Sequence, residues 1–202
     1  MEYVSMHEVA YDANSIVFPG LGHCHGVVYQ TNVGLFAMHI FGGADKTPNK
    51  AMFFGDFVTH HRLGATATGV CLYGVCPTIR FQGQGASAAQ KAELQVCAAA
   101  LKFNGRIEGA MWDLSQLGWG TTYVECNLVG NGVQVRIEDF TSQPSAMGGN
   151  ASPLDHKIVR VTSPGGFGAP MQYGTLSPPD TVINGVTRKP ATPSIIIATT
   201  VL

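Results

Sequence analysis

Leu21-Gly22-His23-Cys24-His25-Gly26-Val27-Val28-Tyr29-Gln30-Thr31-Asn32-Val33-Gly34-Leu35-Phe36-Ala37-Met38-His39-Ile40-Phe41 is the stretch that decides the fold. Its apolar residues gather on either side of the polar break Gln30-Thr31-Asn32, as in a β-hairpin. A turn centred on Thr31-Asn32 with an even-length loop sets Cys24 directly opposite His39, with Cβ atoms about 4.5–5.5 Å apart, close enough for an imidazole to take or stabilise a thiol proton. An odd-length loop would put the two on opposite faces. Two other readings compete: an ordinary buried Cys beside an ordinary strand His, and a metal site drawn from His23, Cys24, His25, His39, His60 and His61. Strand alternation opposes the metal, because it turns His23 and His25 away from Cys24. His60 and His61 read as solvated groups at a helix end, complementing its dipole.

Outward from the hairpin, Phe53, Phe54, Phe57 and Val58 recur at helical spacing, and Gly64 follows the basic pair His61-Arg62, predicting a helix over about 50–63. Thr68–Val75 is a short apolar run bounded by Gly and Pro77, a buried strand. Ser87-Ala88-Ala89-Gln90 has capping-box form ahead of Leu94, Cys97, Ala98 and Leu101 on one face, predicting a second helix closed by Asn104-Gly105. Arg106–Met111 reads as a strand. Tyr123–Leu128 and Val133–Ile137 flank Gly130-Asn131-Gly132, a hairpin turn. The expected fold is therefore α/β (α+β): a central mixed, mainly antiparallel sheet or sandwich flanked by two helices.

After about residue 140 the texture changes, for eight of the 11 prolines lie in the last 63 residues. This predicts a core over 1–140 and a Pro/Gly-rich extension over 141–202 packed on it, with no core of its own. Lys157-Ile158-Val159-Arg160-Val161 and Ser194-Ile195-Ile196-Ile197-Ala198 can each add a strand to the sheet.

The 202 residues carry 12 Lys+Arg against 13 Asp+Glu, and charged residues make up only 12%, about half the usual share of a soluble domain. No basic block supplies the electrostatic footprint of nucleic-acid binding. No apolar run reaches bilayer-spanning length, and the start, Met1-Glu2-Tyr3-Val4-Ser5, lacks a basic region followed by an apolar one. The expectation is a chain made in the cytoplasm without a Sec-type signal or membrane insertion. Five cysteines, an odd number, favour reduced thiols.

Among these thiols Cys24 combines flanking glycines, a strand start and a possible imidazole partner. Cys71 and Cys76 have neither zinc nor redox spacing and read as packing. Cys97 and Cys126 read as inert. Gly83-Gln84-Gly85 before a helix is a weak anion-site pattern lacking a P-loop lysine. No cofactor is implied.

Leu21-Gly22-His23-Cys24, a short apolar strand, a turn and His39 in the next strand resemble the Leu-Gly-Ser-Cys … His hairpin of the CheD chemoreceptor glutamine deamidases. The stretch is also similar to the Leu-Ser-Gly-Cys … His arrangement of cytotoxic necrotizing factor catalytic domains. The resemblance follows element order over roughly residues 14 to 138. It implies a protein glutamine deamidase in which Cys24 and His39 form the catalytic pair and backbone groups at Gly22 and His23 support the oxyanion. The partner is then a protein bearing a target glutamine. Phe18 stands where CheD proteins carry a catalytic Thr, so a backbone carbonyl is the simplest group to orient His39. The extension has no CheD counterpart, which fits a bacterial effector or toxin delivered by a specialised secretion system. A cysteine protease or transglutaminase-type acyl transfer, or an inactive binding module on the same fold, are the alternatives.

Overall fold

A computed structural model describes residues 2–4, 8–41, 47–61, 63–81, 85–139, 159–160 and 194–202. Two β-sheets pack face to face, and two helices cover the outer face of the larger one, giving a mixed α/β architecture.

The smaller sheet runs in the order β1 (Glu2–Tyr3), β3 (Ser15–Leu21), β8 (Thr122–Val129), β9 (Gly132–Asp139) and β11 (Ile195–Ile197). The larger runs β10 (Val159–Arg160), β2 (Glu8–Asp12), β5 (Gly34–Ile40), β4 (His25–Thr31), β6 (Gly69–Pro77), β7 (Arg106–Trp112) and β12 (Thr200–Val201). Pairing is antiparallel except between β1 and β3 and between β6 and β7. The β6–β7 connection carries α2 (Ala86–Ala100), as a parallel pair requires a crossover.

Burial explains which strands alternate in sequence and which do not. All seven residues of β4 and of β5 are buried, because helices cover one face and the smaller sheet the other, so their hydrophobicity is nearly continuous. In β9, Val133, Val135 and Ile137 face inward while Gln134, Arg136 and Glu138 do not, the alternation of a sheet covered on one side. Between the sheets pack Ile16, Phe18, Val28, Ala37, Tyr73, Val75, Val124 and Val135. On the helix side, Phe53, Phe54 and Phe57 of α1 (Thr47–His60) meet Val27, Phe36, Met38 and Ile40. Each such buried aromatic contributes about 1.5–3 kcal/mol over its exposed state.

Several sequence expectations shift. The first helix is Thr47–His60 rather than 50–63, with Pro48 in its first turn, where its missing N–H is harmless. His61 is not solvated: its ring is buried against Tyr11, Phe36 and Phe57, with centroids 4.7, 5.2 and 5.6 Å away. Ser87 does not cap α2, whose N-cap is Gly85 at φ +87° without a side-chain cap. Gln90, freed from a capping-box role, points into the protein and is fully buried. Gly83 and Gln84 of the anion-site pattern lie outside the described residues. The short helix α3 (Leu114–Leu117), capped by Asp113, was not expected.

Strands β1, β2 and β3 also escaped the periodicity. In β3 the Pro19-Gly20 pair interrupts the pattern, and its pairing with β8 shifts register between Phe18 and Leu21. Of the extension, Val159–Arg160 pairs with β2, Ile195–Ile197 with β9 and Thr200–Val201 with β7. Residues 140–158 and 161–193 lie outside the described residues, and most of the proposed 141–202 segment with them. Among the described residues no helix is long and apolar enough to cross a membrane.

Candidate functional site

The hairpin turns on Asn32-Val33, one residue later than expected, with Thr31 paired to Gly34. Gly34 takes φ +137°, and a Cβ there would press on the Ala13 and Asp12 backbone at 2.8 Å. The Thr31 hydroxyl donates to the Gly34 carbonyl at 2.9 Å, and the Asn32 side chain accepts from the Thr68 N–H at 2.6 Å. Moving the turn by one residue moves the pairing by two, so His39 stands opposite Gly26 and not opposite Cys24. Because the shift is even, the faces are preserved. Cys24, just before the first residue of β4, and His39 both belong to the inter-sheet side: Cys24 packs in the core between the sheets, and His39 meets Phe18 of the same core.

His39 is buried, and its Nδ1 lies 2.9 Å from the carbonyl oxygen of Val4. A carbonyl only accepts, so Nδ1 carries the proton and Nε2 is the basic nitrogen. Phe18 meets the ring edge-on, with centroids 5.8 Å apart and planes at 90°. The position six residues before Cys24 therefore touches His39, but with an aromatic edge in place of a hydroxyl. Phe18 also covers Gly26, where a Cβ would lie 2.8 Å from its ring and 2.8 Å from Val75 Cγ2.

Cys24 is only 4% exposed, although Cys71, Cys76, Cys97 and Cys126 are all at 0%. Its thiol is pushed up to about 11 by burial, against the opposing pull of the Arg80 and Lys50 charges and a backbone hydrogen bond from Gly22. Burial thus favours the protonated thiol. Burial raises the other four thiols too.

The turn carrying Cys24 is pinned from both sheets. Thr122 donates its hydroxyl to the Leu21 carbonyl at 2.9 Å, and Arg80 Nη1 donates to the His23 carbonyl at 3.2 Å. Gly22 lies against Thr121, whose Oγ1 is 3.6 Å from the place of a Cβ on Gly22.

On the opposite face of β4 a polar network runs under the site. His25 Nδ1 donates to Glu93 Oε2 at 2.7 Å, Arg80 Nη2 to Glu93 Oε1 at 2.7 Å, and the Thr47 hydroxyl to the same oxygen at 2.5 Å. Gln90 Nε2 reaches the Gly74 carbonyl at 3.1 Å and Cys76 Sγ at 3.4 Å. Burial works to raise the Glu93 carboxyl, but the His25 hydrogen bond, the His25 and Arg80 charges and the Thr47 hydrogen bond outweigh it and hold the group well below the usual carboxylate range. His25 thus faces away from Cys24. Among the described residues no three His, Cys, Asp or Glu side chains gather as a metal ion would require.

Of the sequence candidates, the structure brings Cys24, His39, Gly22 and the His23 backbone to one end of the sandwich. Sequence reasoning missed Val4, Arg80, Lys50 and Glu93. Glu93 and Gln90 had a visible signal, since both lie on the same helix stripe as Leu94, Cys97 and Ala98. Val4 and Arg80 act through chain segments distant in sequence and gave none. No protein-family model matches the chain, and no curated protein matches its sequence.

Proposed function

We propose that the protein is a cysteine-dependent glutamine deamidase of the CheD and cytotoxic necrotizing factor type, acting on a glutamine of a partner protein. The observation that carries this reading is the Val4–His39 hydrogen bond, which sets the basic Nε2 of an imidazole on the same inter-sheet face as the Cys24 thiol. A buried histidine oriented by a carbonyl is what a general base needs.

A buried thiol that favours its proton gives up that proton as it attacks. As Cys24 Sγ attacks the carboxamide carbon, its proton passes to His39 Nε2, and charge develops on the amide oxygen beside the backbone N–H groups of the Gly22–Cys24 turn. Collapse breaks the C–N bond, and His39 returns the proton to the departing ammonia. Water, deprotonated by His39, then hydrolyses the thioester and leaves glutamate with Cys24 restored. If an amine replaced the water, the same site would transglutaminate.

The test is peptide mapping of proteins incubated with wild type and with Cys24→Ala. Conversion of glutamine to glutamate by wild type alone is the expected result. Peptide-bond cleavage without conversion would favour the protease alternative, and no wild-type-dependent change in any partner would favour the inactive binding module. Efficient hydrolysis of free glutamine would show that the substrate is a small molecule.

A further inference from the structure

Arg80 joins the network beneath β4 to the Cys24 turn. It leaves β6 through the 3-10 turn Thr78–Phe81, pairs with Glu93 at 2.7 Å with only 5% of its side chain exposed, and donates to the His23 carbonyl at 3.2 Å. A trans peptide is planar, with its C=O and N–H pointing in opposite directions, and no described peptide bond is cis. Holding the His23 oxygen toward Arg80 therefore aims the Cys24 N–H to the other side of the turn, away from the guanidinium. We infer that Arg80 is a positioning residue: through His23 it orients the Cys24 backbone N–H as the oxyanion donor, and it sets a fixed positive charge near the sulfur.

The inference rests on the deamidase reading for the word oxyanion, but its geometry stands without it. Glu93 is what keeps Arg80 in place, and His25 and Thr47 in turn hold Glu93. Arg80 also lies over the Phe81 ring, 5.7 Å from its centroid, which limits its swing. Glu93 from α2 pairs with this charge, His25 from β4 and Thr47 from α1 hold Glu93, and the thiols of Cys24 and of Cys76 from β6 lie within its influence. The Cys24 sulfur answers to Arg80, Lys50 and the Gly22 backbone. Lysine could keep the charge but not the two-ended fork that spans Glu93 and His23.

The experiment reads Cys24 directly, by the pH dependence of its alkylation with iodoacetamide in wild type, Arg80→Gln, Arg80→Lys and the double variant Arg80→Gln/Glu93→Gln. The double variant removes both partners of the buried pair, so no unpaired carboxylate is left if Arg80→Gln alone fails to fold. Loss of the cation should slow Cys24 labelling by about tenfold at a given pH, the equivalent of one pH unit, in whichever of the glutamine variants folds. Arg80→Lys should keep most of the labelling rate yet lower the turnover number for protein glutamine with little change in KM. Labelling profiles that overlay wild type in the folded glutamine variants would overturn the inference. A shifted profile in a protein that converts no glutamine would sustain Arg80's role at Cys24 and remove the deamidase reading instead.

Discussion

Phe18 and His39 meet edge to face across the space between the two sheets, ring centroids 5.8 Å apart, over the bare backbone of Gly26. Phe18 of β3 and Gly26 of β4 thus fix the imidazole carried by β5. Gly26→Ala would drive a methyl into the Phe18 ring and Val75, and overpacking of this kind costs about 1–3 kcal/mol. The variant should lose that stability in denaturant titration and lose activity beyond it, because the Phe18 shift moves His39. A Gly26→Ala protein with wild-type stability and activity would show that the packing does not position the ring.

Phe18→Ala tests the same contact from the other side. It leaves a cavity between the sheets and should cost about 3–5 kcal/mol, measured by the denaturation midpoint. Phe18→Thr puts a hydroxyl beside the His39 ring, and activity retained in a folded Phe18→Thr protein would show that the aromatic edge is not needed to hold the imidazole.

Cys24 should label before the other four thiols in the folded protein, being the least buried, but slowly at neutral pH. Its folded titration, pushed up to about 11 by burial, means that the alkylation rate climbs about tenfold per pH unit up to that region. Mass mapping after timed labelling checks both statements. A plateau near neutrality would mean that the resting sulfur is already a thiolate.

His39→Ala should fold, and should lower turnover by the 10²–10⁴-fold typical of a lost general acid–base group. His25→Ala acts differently: it takes the hydrogen bond from Glu93 and should show first in stability. Full turnover in a folded His39→Ala protein would exclude the base role.

Acid should find Glu93. A carboxyl whose folded titration lies below its unfolded value of 4.5 contributes stability that is fully present above about pH 5 and drains away as the pH falls toward the folded value. Glu93→Gln should be less stable than wild type at neutral pH and show a flatter loss of melting temperature between about pH 5 and 2. Parallel curves for the two proteins would contradict the network.

How much of this was readable from sequence follows burial. Strands with one solvent face, such as β9, and helices with a single apolar stripe announced themselves. The hairpin of β4 and β5 was visible, but its register hung on which residue followed Asn32, and Gly34 at positive φ settled it a residue later than Thr31-Asn32 suggested. The shift was even, so Cys24 and His39 kept a common face although they are not direct neighbours. The interrupted β3 and the short β1 and β2 carried too little period to be read. Their loss hid the Val4 carbonyl and the Phe18 ring, both of which act on His39. Arg80 and Glu93 were hidden for another reason: a buried charge network is written in contacts between β4, α2 and the end of β6, and no local pattern records it.

The most direct measurement of the central claim is interception of the thioester. Hydroxylamine added to wild type with a glutamine-bearing protein substrate should divert the acyl group from water, leaving a hydroxamate at the target glutamine, while Cys24→Ala yields neither hydroxamate nor glutamate. Glutamate formation by wild type with no trace of hydroxamate, together with undiminished conversion by Cys24→Ala, would contradict a Cys24–His39 nucleophilic mechanism.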